Sequence, residues 1–169
     1  SRTILRSLIK DGTQAPSATN SQPWNFYIVT SKEKREAANR IMQDNLRKYK
    51  DSFDSLSPKL PKVANHFYKN MGDAPHVIFA FMPSDLRRRD SGIISVSCAC
   101  QNIMLSAVDK GLGTCWVAGF NGYEKQVKHI VGAKRNEELV GGILIGYPRA
   151  GYEPLRRSKK KLDEVYTFV

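Results

Sequence analysis

The sequence predicts an α+β (α/β) fold in which a sheet is flanked by helices. Segments with the pattern of strands alternate along the chain with segments that have the pattern of helices, and this alternation favours a sheet covered by helices. A length of 169 residues suits one domain with a sizeable core and is short for two. Apolar residues make up 41% of the chain and charged residues 25%, which is ordinary for a globular protein.

Periodicity and helix-ending residues define the individual elements. Apolar residues spaced three and four apart indicate helices, and runs of aromatic and β-branched residues indicate strands. Gly12 and Gly111 end two of the helices, and Ser31 is placed to cap a third. Residues 50–72 are less regular because prolines interrupt them. The predicted elements are a helix at 3–11, a strand at 25–30, a helix at 31–48, a strand at 74–82, a helix at 90–110, a strand at 114–118, a helix at 122–131 and a strand at 139–145.

Two of these segments are hydrophobic enough to be buried. Residues 74–82 are almost continuously apolar, which predicts a strand covered on both faces. The helix that Asp90 or Ser91 is expected to cap is apolar on almost every side, which predicts burial in the core or against another subunit. No apolar run approaches the roughly 20 residues that cross a bilayer, and the chain does not open on a secretion signal. We therefore expect a cytoplasmic protein with no membrane partner.

The charge of the chain predicts an anionic partner. The formal net charge is +11, and six basic residues accompany one acidic residue between Arg149 and Lys161. Nucleic acid, a membrane surface and a phosphate-bearing small molecule are all compatible with such a charge. A nucleic-acid-binding module is disfavoured because the sequence has no recognisable reading motif and no alternation of basic and aromatic residues.

The cysteines and histidines predict neither a disulfide framework nor a metal site. Cys98 and Cys100 lie two positions apart on one predicted helix, so their side chains diverge by about 200° and cannot share a metal. Together with Cys115 they are interpreted as buried free thiols. The three histidines have no metal-ligand spacing. His76 lies in a predicted strand and is interpreted as a core residue whose hydrogen bonds are satisfied.

The segment Ala15-Pro16-Ser17-Ala18-Thr19-Asn20-Ser21-Gln22-Pro23-Trp24 is the strongest functional signal in the chain. As isolated residues it would be a polar turn in which Ser17 and Asn20 bond backbone groups. As a ten-residue string it resembles the flavin-binding loop of the nitroreductase family. Residues 109–120 resemble the family's second hallmark, and Gly146-Tyr147-Pro148 with the later Leu162-Asp163-Glu164-Val165 resembles its C-terminal signature. The order and spacing agree across essentially the whole chain.

This resemblance implies a single domain over residues 1–169 with a mixed, mainly antiparallel sheet and a long buried helix at a dimer interface. It implies a homodimer that binds flavin mononucleotide (FMN) at two sites between the subunits. The implied reaction moves a hydride from NADH or NADPH to a nitroaromatic, a quinone or a related small-molecule acceptor. Because the flavin carries the chemistry, no catalytic side chain and no metal are implied.

The resemblance also implies which residues form the site. The flavin-binding loop contributes from one subunit and the end of the third strand from the other, where a backbone amide near Ala118 or Gly119 would donate to flavin N5. The residues implied for cofactor binding are Pro16, Ser17, Ala18, Asn20, Gln22, Trp116, Val117, Ala118, Gly119 and, for the phosphate, Arg157, Lys159 and Lys160. The substrate-side candidates are Phe67, Tyr68 and Asn70, for which a plain surface helix is the alternative.

One departure from the family pattern concerns the start of the chain. Family members usually begin with an Arg-Arg-Ser-like segment that holds the phosphate, whereas Ser1-Arg2 aligns with the start of the first helix. The expected explanation is truncation, and the alternative is a cofactor held more weakly through the basic tail. A flavin-binding protein without turnover therefore stays open as a second interpretation.

Overall fold

A computed structural model describes residues 1–56, 67–152 and 158–169, and its central feature is a four-stranded sheet between two layers of helices. All the predicted helices and strands are present, most of them with ends shifted by one or two residues. The elements in chain order are α1 (Arg2–Gly12), β1 (Asn25–Val29), α2 (Lys32–Leu56), β2 (His76–Pro83), α3 (Arg89–Asp109), β3 (Gly113–Val117), α4 (Glu124–Val131) and β4 (Glu137–Gly146).

The sheet has the order β1-β2-β4-β3, and every neighbouring pair is antiparallel. The long strands β2 and β4 occupy the centre, and β1 and β3 lie at opposite edges. A bulge interrupts the central pair, since Ala80 is opposite Gly141 while Phe81 is opposite Leu139. The extra residue is Val140, whose carbonyl accepts a hydrogen bond from the Asn121 side chain at 3.3 Å. The predicted antiparallel sheet flanked by helices is therefore confirmed.

Each face of the sheet supports its own core because successive side chains of a strand point to opposite faces. Ile78, Ala80 and Met82 of β2 pack with α1 and α3. The alternate residues Val77, Phe79 and Phe81 pack with α2 and α4. All six are fully buried, which confirms the prediction that this strand is covered on both faces.

The helix boundaries correct two predictions. The predicted cap of α3 at Asp90 or Ser91 is wrong, because the helix begins at Arg89 and both residues lie inside it. Its first turn forms when the Gly92 N–H bonds to the Arg88 carbonyl at 3.2 Å, with no side-chain cap. The helix after Ser31 continues to Leu56 rather than ending near residue 48, although its backbone departs from helical angles at Tyr49.

Two predictions about single side chains also change. Only Cys100 of the three cysteines is buried, while Cys98 is half-buried and Cys115, on the edge strand β3, is exposed. His76 is only partly buried, and its Nδ1 atom is enclosed without a hydrogen-bond partner among the residues described. Burial lowers the pKa of this imidazole. It is therefore not the satisfied core residue that the sequence predicts.

The helix α3 is covered on one side only. Its inner face packs against α1 and the sheet through Val96, Ala99 and Ile103. On its outer face Leu105 and Val108 are apolar but 60% and 65% exposed. By length and composition α3 would also qualify as a membrane span, a property that core helices share. The described residues of a single chain thus leave an apolar helix face uncovered.

Candidate functional site

The loop between α1 and β1 is folded into one defined shape by its own side chains. A 3-10 turn spans Ala18–Asn20, and the backbone enters the left-handed region at Thr19, Asn20 and Gln22 with φ of 54°, 54° and 45°. The Ser17 hydroxyl accepts a hydrogen bond from the backbone N–H of Gln22 at 3.0 Å. The side-chain oxygen of Asn20 accepts one from the side-chain amide of Gln22 at 3.2 Å. Since left-handed non-glycine residues cost energy, these bonds are what hold the loop in this shape.

A buried serine attaches the loop to helix α3. The Ala18 N–H donates to the hydroxyl oxygen of Ser95 at 3.2 Å, and that hydroxyl in turn donates to the Ser91 carbonyl at 2.7 Å. Ser95 is 3% exposed, so its position is set by the core around it. Pro16, Ala18 and Asn20 nevertheless remain exposed. The loop is therefore anchored from beneath and open on its outer side.

A buried carboxylate holds the other end of the loop, where β1 begins. Glu137 is 5% exposed and accepts hydrogen bonds from the Asn25 amide at 2.5 Å, the Tyr27 hydroxyl at 2.6 Å and the Lys134 N–H at 2.8 Å. Burial alone would raise the pKa of Glu137, but the bonds from Tyr27 and Asn25 outweigh it, and its pKa lies below the ordinary value. The carboxylate is therefore held ionised and fully bonded.

The second predicted segment, at the end of β3, offers mainly its backbone. The Trp116 ring is half-buried and lies over Gly141, where a Cβ would overlap it. The Val117 side chain points to the opposite face and is 4% exposed in the core there. Ala118 is exposed and Gly119 is half-buried. The residues of this segment with surface open to a ligand are therefore Trp116, Ala118 and Gly119.

Three contacts hold the main chain around Gly119. The Asn45 side-chain amide donates to the Gly119 carbonyl at 2.9 Å, and the Asn121 N–H donates to the Ala118 carbonyl at 3.0 Å. The Tyr68 ring lies beside Gly119, 3.6 Å from where a Cβ would stand. Within the part of the chain that the structure describes, the Gly119 N–H itself has no acceptor. Among the described residues, this amide is therefore a donor that no other group of the protein uses.

The three substrate-side candidates do not all lie near the end of β3. Phe67 and Tyr68 stack edge to face at 5.5 Å between ring centroids, and Tyr68 reaches Gly119. Burial, followed by the nearby Cys115, raises the pKa of Tyr68. Asn70 is engaged elsewhere, because its amide donates to Asp73 at 2.7 Å and its oxygen accepts from the Gly72 N–H at 3.2 Å. The structure thus joins Tyr68, but not Asn70, to the end of β3.

One chain does not bring the loop of residues 15–24 and the end of β3 together. The loop leads into β1 and Gly119 follows β3, and these strands lie at opposite edges of the sheet. Three strand spacings separate the two edges, a distance of about 14 Å. No hydrogen bond joins the two segments in the described ranges. Among the described residues of one chain, the two segments therefore lie apart.

The cationic tail contributes charge close to the C-terminus. Lys159 and Lys160 are exposed and make no ion pair within residues 1–56, 67–152 and 158–169. Their ammonium groups are therefore available to an anion. Arg157, the third phosphate candidate, lies outside the described residues.

Similarity to known proteins decides the family. Residues 1–147 match the nitroreductase family. The chain belongs to the nitroreductase family. Its relatives include YfhC of Bacillus subtilis (strain 168), named for an NAD(P)H nitroreductase and 27% identical over 157 residues, which are 92% of this chain and 78% of YfhC. Nitrobenzene nitroreductase of Ectopseudomonas oleovorans is 25% identical, with 98% of this chain and 87% of that enzyme aligned.

A solved structure agrees with this nitroreductase-like fold. The FMN-dependent nitroreductase NfnB from Mycobacterium smegmatis, determined in complex with NADPH, superposes with a TM-score of 0.77 at 19% identity. The superposition covers all of this chain and 89% of NfnB. The fold is therefore nitroreductase-like, and membership of the nitroreductase family supports an oxidoreductase, as the resemblance in the sequence implies.

Three residues that position the site were not among the sequence predictions. They are Ser95, which holds the loop, Asn45, which holds Gly119, and Glu137, which holds the start of β1. All three are polar and buried, with exposures of 3%, 7% and 5%. In the sequence, each of them is a polar residue at a position where the helix or strand pattern favours an apolar residue.

Proposed function

We propose that this protein is an FMN-dependent oxidoreductase that transfers hydride from NADH or NADPH to nitroaromatic, quinone or related acceptors. The single observation that supports it most is the Gly119 N–H, a donor held by Asn45 and Asn121 that has no acceptor in the described residues. In the resemblance to the family this is where an amide meets the flavin ring. The structural neighbour NfnB is FMN-dependent and was determined in complex with NADPH.

The donor set of the chain fits FMN. Two half-sites with different chemistry are present: an anchored loop with exposed Pro16, Ala18 and Asn20, and a backbone edge at Ala118 and Gly119. The Asn20 side chain uses its oxygen for Gln22 within the loop, and its amide nitrogen still carries two hydrogens that can donate to a ligand. The isoalloxazine ring system offers both an apolar face and a row of acceptors, which such a pair of surfaces would contact.

The phosphate of FMN would bind the basic tail. Lys159 and Lys160 carry exposed ammonium groups, and each can donate to phosphate oxygens as a flexible point charge. Arg157 is the third candidate from the sequence. Hydrogen bonds between charged groups contribute about 1.5–3 kcal/mol each, so two such contacts would matter to affinity.

In this proposal the bound flavin supplies the hydride chemistry, taking two electrons from the nicotinamide and passing them to the acceptor. The protein binds and orients the ring through the loop and the Gly119 amide, and no side chain is required as a nucleophile. Tyr68 lies beside the same glycine and would line the acceptor side. A tyrosine is protonated near neutral pH, and burial raises the pKa of Tyr68 further, so its phenol stays uncharged.

We propose further that the active form is a homodimer. The outer face of α3 exposes Ile94, Leu105 and Val108, which are 64%, 60% and 65% exposed. The C-terminal segment also exposes Leu162 and Phe168, at 73% and 90%. Exposed apolar surface of this extent is typical of interaction sites. Since one chain separates its two half-sites, pairing of two chains is the arrangement that would complete each site.

The test is a spectrum of the purified protein with and without added FMN. We expect a yellow protein with bound flavin in proportion to the chain, bleached by NADH or NADPH and recoloured by a nitroaromatic or quinone. A protein that takes up no FMN contradicts the proposal, and a salt-dependent shift of DNA by a colourless protein would support a nucleic-acid-binding module instead. Stoichiometric FMN without nicotinamide oxidation would reduce the function to flavin binding.

A further inference from the structure

We infer that Asn45 is a positioning residue that orients the Gly119 amide toward the cofactor. The inference rests on the proposed function, because it assigns the role of a side chain at the proposed flavin site. Asn45 lies on α2, the helix that packs on the sheet face opposite α1 and α3. Its side chain touches no part of the flavin-binding loop in the described residues.

The placement of Asn45 is unusual for a polar residue. It is 7% exposed, one turn along from the core residues Ile41 and Met42. An amide in such a place needs a partner, because an unpaired buried polar group is costly. The partner it has is the Gly119 carbonyl, at 2.9 Å. The contact joins positions 74 residues apart, so it forms only when α2 and the end of β3 are both in place.

The hydrogen bond acts on the part of the backbone that most needs restraint. Glycine populates more backbone conformations than any other residue, so an unrestrained Gly119 would turn its amide in several directions. The Asn121 N–H fixes the peptide before Gly119, whose N–H has no acceptor in the described residues, and Asn45 fixes the peptide after it. Together they hold both sides of the glycine. A donor ordered in advance binds its acceptor without a further loss of conformational entropy.

The alternative role for Asn45 is to join α2 to the sheet and nothing more. Gln43 provides the comparison, because it lies on the same helix and its amide also donates to a backbone carbonyl, that of Lys69, at 2.9 Å. Met42 provides a second comparison, because it is fully buried on the same helix and makes no bond to Gly119. A purely structural Asn45 would behave like these two residues.

The experiment titrates FMN into wild type, Asn45→Asp, Gln43→Ala and Met42→Ala and follows quenching of flavin fluorescence. Asn45→Asp keeps the shape of the side chain and removes the donor. We expect its FMN dissociation constant to rise at least tenfold, with Gln43→Ala within twofold of wild type. Met42→Ala should lower the melting temperature of the FMN-free protein at least as much as Asn45→Asp does, yet change FMN affinity less.

A second readout does not depend on the variants folding. In wild type labelled with nitrogen-15, the Gly119 amide should exchange rapidly with solvent before FMN is added, and its exchange should slow when FMN binds. An unchanged Gly119 amide in a protein that does bind FMN would overturn the inference while leaving the proposed function in place. Equal FMN affinity in wild type and Asn45→Asp would also overturn the inference. So would a loss of FMN affinity in Met42→Ala as large as that in Asn45→Asp. Wild type that binds no FMN overturns both.

Discussion

The hydroxyl of Ser95 accepts a hydrogen bond from the backbone N–H of Ala18 at 3.2 Å and so connects the core of α3 to an exposed loop. The two residues are 77 positions apart in the chain. Ser95 is buried, whereas Ala18 is exposed. The bond thus transmits the rigidity of the core to a loop that three left-handed residues would otherwise make costly to hold.

We predict that Ser95→Ala weakens FMN binding more than it weakens the fold. The substitution leaves the Ala18 N–H without its partner, and a hydrogen bond of this kind contributes about 1 kcal/mol, or roughly a fivefold change in affinity. The measurement is FMN titration together with thermal unfolding. Ser97→Ala is the matched control, because Ser97 makes the same bond to its own helix, to Ile93 at 2.8 Å, without touching the loop. Equal affinity of the two variants would refute the prediction.

The Glu137 cluster gives a prediction about acid stability. Its pKa lies below the model-compound value of 4.5, so its bonds stabilise the fold above that pH and are lost as the pH falls through the lowered pKa. Glu137→Gln should lower the free energy of unfolding by about 1–3 kcal/mol at neutral pH, because a buried charged hydrogen-bond network is disrupted. Denaturant unfolding at several pH values measures this difference, which should shrink below pH 4.5.

Glu138 supplies the control for that experiment. It is the next residue along β4 and pairs with Arg89, whose side chain is 58% exposed. Because exposed ion pairs contribute about 0–1 kcal/mol, Glu138→Gln should have a small effect. A difference between wild type and Glu137→Gln that stays constant across the pH range would show that the carboxylate does not titrate as described.

The outer face of α3 provides a prediction about assembly. We predict that Leu105→Lys, which places a charge at a side chain 60% exposed in the single chain, converts a dimer into a monomer and releases FMN. A charge buried in an apolar interface is costly unless it is paired. Sedimentation velocity gives the mass of each species. Tyr49→Lys, at an exposed apolar residue of α2, is the control and should remain dimeric. A monomeric wild type that binds FMN would contradict the homodimer.

We predict that the Trp116 ring can keep its position only if residue 141 is glycine. A Cβ at this position would overlap the indole, with the third-nearest ring atom still only 3.1 Å away. Gly141→Ala should therefore displace the ring, cost about 1–3 kcal/mol and shift the fluorescence of Trp116. Gly122→Ala is the control, since a Cβ there meets nothing within 4 Å. An unshifted emission spectrum with unchanged stability would show that the ring does not pack on this glycine.

Much of the fold and part of the site were predictable from local patterns. The order of helices and strands follows from the spacing of apolar residues, and the burial of β2 on both faces follows from its uninterrupted hydrophobicity. The loop around Asn20 was identified because a string of ten residues is specific even where each residue is not. The start of α3 was misplaced because no side chain caps it, so the sequence carries no local mark of its first turn.

The sequence by itself determined the elements, the loop and the identity of the family, because these depend on residues close together in the chain. Only the tertiary structure decided how the loop and Gly119 are held, since Ser95, Asn45 and Glu137 act on groups 77, 74 and 112 positions away. It also decided that one chain keeps the loop and Gly119 next to strands at opposite sheet edges. Hydrogen bonds between distant residues leave no periodic trace, so they emerge only once the sheet and its helices have packed.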